Sequence, residues 1–142
     1  MNKPRTIMPD TFSQIYIQYV FSVKGRENLI KSSFQDELYK YIAGIVEGKD
    51  QKSLAVNGMP DHIHVLVGLK PAMRISDLIR DVKNNSTNFI NEKGILKQKF
   101  SWQDGYGAFS YSESNFGNVI DILKIKKNII KRKPFARNIW GF

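Results

Sequence analysis

The sequence predicts an α+β fold, a ferredoxin-like split βαβ arrangement with one antiparallel sheet and an added C-terminal helix. Three observations predict it. Apolar periodicities of two and of about 3.6 follow one another in the order β-α-β-β-α-β-α. A hairpin signal falls between the first two helical stretches, as that arrangement requires. The chain is 142 residues long with no cysteine, which suits one domain that buries its core without disulfides.

The first strand spans Ser13–Val23, rich in aromatic and β-branched residues, with Ile15, Ile17 and Tyr19 alternating with Tyr16, Gln18 and Val20. Lys24-Gly25-Arg26-Glu27-Asn28 breaks it. A helix is expected from about Ser33, because Ser32-Ser33-Phe34-Gln35 has the form of a capping box. Phe34, Leu38, Tyr41, Ile42 and Ile45 give it one apolar stripe, and Gly48 is a stop signal. Ser53–Asn57 reads as a short strand, Gly58-Met59-Pro60 as a turn, and His62–Leu69 as the second arm of the hairpin. A second amphipathic helix runs from about Ser76 to Glu92 on Ile75, Leu78, Ile79, Val82, Phe89 and Ile90. Its other face offers Arg80, Lys83, Asn84, Asn85 and Thr87. Gln98–Ser112, dense in aromatics and glycine, reads as a loop entering a strand at Tyr106–Ser112. The last helix is expected from Ser114 or Asn115 through Val119, Ile120 and Leu123, ending before Pro134.

Charge narrows the function. Lysine and arginine number 22 against 13 acidic residues, a net +9 that favours polyanionic partners, nucleic acid first. Lys124–Lys133 holds six lysines or arginines and no acid. It suits phosphate contact, although cations at a helix C-terminus also gain from the helix dipole. The absence of cysteine excludes disulfide and thiolate chemistry and suits a reducing compartment. There is no apolar run of membrane-spanning length, and the N-terminus lacks the apolar core of a secretory signal, so a cytoplasmic protein without a membrane partner is expected.

Both histidines lie in Pro60-Asp61-His62-Ile63-His64-Val65-Leu66. On a strand, residues two apart share a face, so His62 and His64 project together while Ile63 and Val65 project oppositely. Two adjacent imidazoles can bind a divalent metal when a third ligand arrives from elsewhere. The plainer alternative is two unrelated strand histidines. Strand alternation turns Asp61 away from the pair unless the strand is bulged.

Four colinear blocks together resemble the single-tyrosine HUH transposases of the insertion-sequence 200 type, whose REP-associated relatives share the fold. They are YIQYVFSVKGR (16–26), MPDHIHVLVGLKP (59–71), ISDLIRDVKNNSTNFINEKG (75–94) and FSWQDGYGAFSYSES (100–114). The resemblance implies a transposase domain over residues 8–135, with a flexible extension at 1–7 and a short tail at 136–142. It also implies a homodimer and single-stranded or hairpin DNA as partner. The family's two histidines, here His62 and His64, hold Mg²⁺ or Mn²⁺ with a glutamine. A tyrosine on the C-terminal helix attacks DNA to leave a 5′-phosphotyrosine.

This chain departs from the family on that helix. Aligned without gaps, the nucleophile position falls on Ile122 and the third-ligand position on Lys126, while the family's paired histidines fall on Ile129 and Ile130. Position 18, often histidine in relatives, is Gln18. Isoleucine cannot attack phosphorus, and lysine ligates a metal only after losing a proton it holds up to about pH 10.4. A protonated Lys126 predicts weak or absent metal binding and DNA binding that survives a chelator. Tyr111 is an outside candidate for the nucleophile; family likeness places it and Tyr106 in strand and core. The tail Arg137–Phe142 lacks the acidic, aromatic character common in the family, and the chain reads as stopping early.

The expectation is a transposase by descent with impaired strand cleavage and transfer. Three alternatives stay open: an enzyme with an unrecognised nucleophile, a non-catalytic DNA-binding derivative, and a decayed fragment. Expected DNA contacts are Lys24, Arg26, Arg80, Lys83, Asn84, Lys124, Lys127, Lys131 and Arg132. Trp102 either stacks on an unpaired base or packs in the core or a dimer interface.

Overall fold

The computed structural model describes residues 15–111. Strand β1 (Ile15–Ser22) leads through a short 3-10 turn (Lys24–Arg26) to helix α1 (Gln35–Gly48). Strands β2 (Lys52–Met59) and β3 (His62–Leu69) form the hairpin, followed by helix α2 (Ile75–Lys93) and strand β4 (Gly107–Tyr111). The sheet order is β2-β3-β1-β4 with every neighbouring pair antiparallel, the topology of a split βαβ unit. The expected last helix, both termini, and positions 122, 124, 126, 127, 131 and 132 lie outside the described residues.

Alternation along β1 decides the layering. Ile17, Tyr19, Phe21 and Val23 join Ile63, Val65 and Val67 of β3 under Leu38, Ile42 and Val46 of α1 and Leu78, Ile79, Val82 and Ile90 of α2. The Tyr19 hydroxyl donates to the Ile75 carbonyl at 2.8 Å and ties α2 to the sheet. Lys49 and Asp81 link the helices at 3.0 Å. No described helix is long and apolar enough to cross a membrane.

The element order matches the sequence expectation, and several boundaries move. Helix α1 starts at Gln35 with Phe34 as its cap and no side-chain cap bond, so the capping box does not form. The Lys31 carbonyl instead receives the Phe34 and Gln35 amides. Within α1 the buried tyrosine is Tyr39, whereas Tyr41 is exposed and stacks on Phe89 of α2 with ring centroids 4.1 Å apart. The hairpin turn is Pro60-Asp61, two residues joining strands eight residues long. Gly58 therefore belongs to β2. A Cβ there would stand 2.3 Å from the His62 carbonyl oxygen, which is why only glycine fits.

Candidate metal centre and nucleic-acid groove

The sheet face away from α1 and α2 holds the histidines. His62 lies opposite Ser22 and Met59, and His64 opposite Val20 and Asn57. Both imidazoles are buried, with ring centroids 5.1 Å apart at 67°.

Asp61 occupies the hairpin turn and reaches back to this face. Its Oδ1 lies 2.7 Å from His62 Nδ1, and its Oδ2 accepts from Arg26 Nε and Nη2 at 3.1 and 2.8 Å. Burial pushes the Asp61 carboxyl up, but the hydrogen bonds and charges of His62 and Arg26 together hold it below the usual carboxylate range. A carboxylate on Nδ1 fixes the ring and directs Nε2 toward any cation. Asp61 is thus not turned away from His62; it holds that ring in position. A turn residue is not bound by strand alternation, which is why period-two reasoning misplaced it.

Across from the histidines, β1 presents two buried oxygens. Gln18 is fully buried, its Nε2 donating to the Tyr111 hydroxyl at 3.0 Å. Among the described residues, neither Gln18 Oε1 nor Ser22 Oγ has a hydrogen-bond partner. Such orphaned oxygens cost roughly 1–3 kcal/mol each unless something fills the gap. Two adjacent imidazoles, the first held by a carboxylate, fit a divalent cation that accepts nitrogen ligands. Among the described residues no three His, Cys, Asp or Glu side chains form a metal-binding group.

Tyr111 is half-buried on the same face, in register with Tyr16. Burial pushes its phenol up, away from the phenolate that attack requires.

A second feature lies between α2 and the segment before β4. A groove of about 640 Å³ is lined by Arg80, Lys83, Asn84, Trp102 and Tyr106 among others. Four residues singled out from sequence as DNA contacts therefore meet in one concavity. Arg80 is exposed and weakly paired with Asp77 at 3.3 Å and Asp81 at 3.4 Å. Asn84 is exposed. Lys83 Nζ donates to the carbonyls of Gln103 and Gly105, both at 2.8 Å, and so pins the loop. Burial pushes its amine down, and the Asp104 carboxylate counters this in part. A cavity of about 360 Å³ shares Asp104, Gly105 and Tyr106 with the groove and reaches Val20 and Ser22, beside the histidines.

Trp102 packs in the core rather than offering a stacking face. It is 6% exposed, meets Phe21 and Phe100 edge-on at 4.7 Å each, and donates its indole N–H to Ser86 Oγ at 2.9 Å. Of the residues after β1, Lys24 is exposed, while the Arg26 guanidinium is engaged by Asp61.

A split βαβ domain with a His-x-His strand beside a basic groove defines a class of fold and site. Within that class, the family described as "Transposase IS200 like" matches residues 11–123, and the chain belongs to it. Among solved structures, a candidate transposase from Deinococcus radiodurans R1 is similar, with a TM-score of 0.68 and 21% identity over 87% of this chain and 96% of that one. A REP-associated tyrosine transposase bound to a REP hairpin matches with a TM-score of 0.61 and 16% identity, over 92% of this chain and 74% of that one. No curated protein matches the chain.

Proposed function

We propose that this transposase-family protein binds single-stranded or hairpin DNA along the α2 groove, and that its strand cleavage and transfer are impaired. The single observation that carries the binding half is the convergence of Arg80, Lys83 and Asn84 on one groove. The net charge of +9 supports it. So does the fold shared with a transposase bound to a REP hairpin.

Each residue has a distinct part. Exposed ion pairs such as Arg80 with Asp77 are worth little, so the guanidinium is available to a phosphate. Lys83 holds the 103–105 loop in place at the groove wall. Asn84 offers a neutral donor and acceptor to a base edge or sugar. Lys24 extends the positive surface past the end of β1. The basic set Lys124, Lys127, Lys131 and Arg132 adds phosphate contacts, and the active form is a cytoplasmic homodimer.

The chemical half follows from residue identity. Ile122 stands at the family's nucleophile position and has no atom that can form a phosphoester. His62 and His64 would hold a divalent cation, with Asp61 setting the first ring. When bound there, such an ion polarises a phosphate and neutralises charge on its oxygens. DNA binding through the groove does not depend on it and persists in a chelator.

The test is a salt titration of hairpin affinity for the wild type and for Arg80→Ala/Lys83→Ala. The variant should bind more weakly, with the slope of log affinity against log salt shallower by about 0.7–0.9 for each phosphate it no longer neutralises. Unchanged affinity and slope would remove α2 from the DNA site.

A further inference from the structure

We infer that the α2 groove takes an unpaired nucleobase, stacked on the ring of Tyr106 beside the carboxylate of Asp104 and the amides of Asn84 and Asn88. This rests on the reading of the groove as the DNA site and deepens it, because that reading names no place for an unstacked base.

The lining is not that of a simple phosphate track. Asp104 and Asn88 line the same groove as Arg80, Lys83 and Asn84. A carboxylate repels a phosphate, whereas it accepts hydrogen bonds from base-edge donors such as the amino group of cytosine. The Lys83 ammonium is engaged by the Gln103 and Gly105 carbonyls, both at 2.8 Å, which leaves Arg80 as the exposed cation of the lining. Asn84 and Asn88 are exposed and four residues apart, so they share one face of α2. Carboxamides pair with base edges, in particular that of adenine. The groove's volume of about 640 Å³ falls within the roughly 300–1,000 Å³ of sites that enclose a small ligand, and one nucleotide is of that class.

Tyr106 supplies the stacking surface. It is half-buried, packs against the core and also lines the groove. Its neighbour Tyr19 meets it edge-on, with ring centroids 6.1 Å apart at 63°, and does not stack on it. Trp102, the other aromatic of the lining, is buried. The chain on either side of Tyr106 is held before any ligand arrives. Gly105 turns at a φ of 86°, a left-handed conformation that glycine adopts without strain, and its carbonyl is fixed by Lys83. Gly107 is paired with Val20 of β1. A ring anchored in this way loses little freedom on binding, so its stacking is realised as affinity.

The experiment compares the affinity of the full-length chain for oligo(dA) and for an abasic oligonucleotide of the same length, which keeps the phosphates and lacks the bases. The wild type should prefer oligo(dA). Tyr106→Leu should bind oligo(dA) about 5- to 150-fold more weakly, the effect of losing one base–aromatic stack, with its affinity for the abasic strand unchanged. Tyr106→Phe keeps the ring and should keep the preference, and thermal melts check that both variants are folded. A second measurement needs no variant: the wild type is photocrosslinked to iodouracil-substituted oligo(dT), and peptide mapping should find the adduct on Tyr106. Equal affinity of the wild type for the two strands, an unchanged preference in Tyr106→Leu, or adducts that spare Tyr106 would overturn the inference and leave the groove as a phosphate-binding surface. Binding of neither strand would overturn the DNA reading as well.

Discussion

One carboxylate, that of Asp61, joins an arginine from the β1 exit to the first histidine of the pair. Its position in a two-residue turn frees it from the alternation that governs His62 and Ile63. Loss of an outer-shell partner of this kind weakens metal binding by about 10–100-fold, so Asp61→Asn should lower Mn²⁺ affinity by that factor in a direct titration. The same carboxyl gives a pH signature. Its folded value is lowered, so its stabilisation is present above the unfolded value of about 3.9 and is lost as pH falls through the lower folded value. Urea midpoints should therefore show the wild type above Asp61→Asn near neutrality, with the gap closing in acid. At this scale the sequence told us which histidines share a face, because a period of two is strict within a strand. It could not show Asp61 on His62, nor the orphaned oxygens of Gln18 and Ser22, since these depend on turn geometry and on cross-strand register.

Among the elements, the β2–β3 hairpin is the most constrained. Gly58 passes so close to the His62 backbone that a methyl group must displace β3. Gly58→Ala should cost about 1–3 kcal/mol or more, read as a lower thermal midpoint, and should shift the His62 ring along with it. The segment entering β4 is held from two sides, by Lys83 on its carbonyls and by Trp102 buried between Phe21 and Phe100. Truncation to Trp102→Ala is expected to cost about 3–5 kcal/mol, while a folded Trp102→Phe keeps hairpin affinity. A large loss of affinity in a stably folded Trp102→Phe would return that ring to the DNA site. Element order was legible from periodicity. The start of α1 was not, because a Ser-x-x-Gln pattern competes with backbone bonds to the Lys31 carbonyl, and here the backbone won. Nor was the choice between Tyr39 and Tyr41, whose positions straddle the edge of the apolar stripe.

For the whole molecule, a net +9 charge accompanies a groove beside α2 that gathers Arg80, Lys83 and Asn84. The family match covers residues 11–123 and so includes every element described. The sequence made the groove legible as a list of cations on one helix face. It left open that Lys83 also builds the groove wall, which only the packing of the 103–105 loop shows. The central claim is DNA binding without covalent chemistry. Its most direct test is a denaturing gel of the full-length protein incubated with Mn²⁺ and labelled single-stranded hairpin DNA, under conditions where a native complex forms. The account predicts no covalent protein–DNA band for the wild type and a band for Ile122→Tyr/Lys126→Gln; a covalent band from the wild type would contradict it.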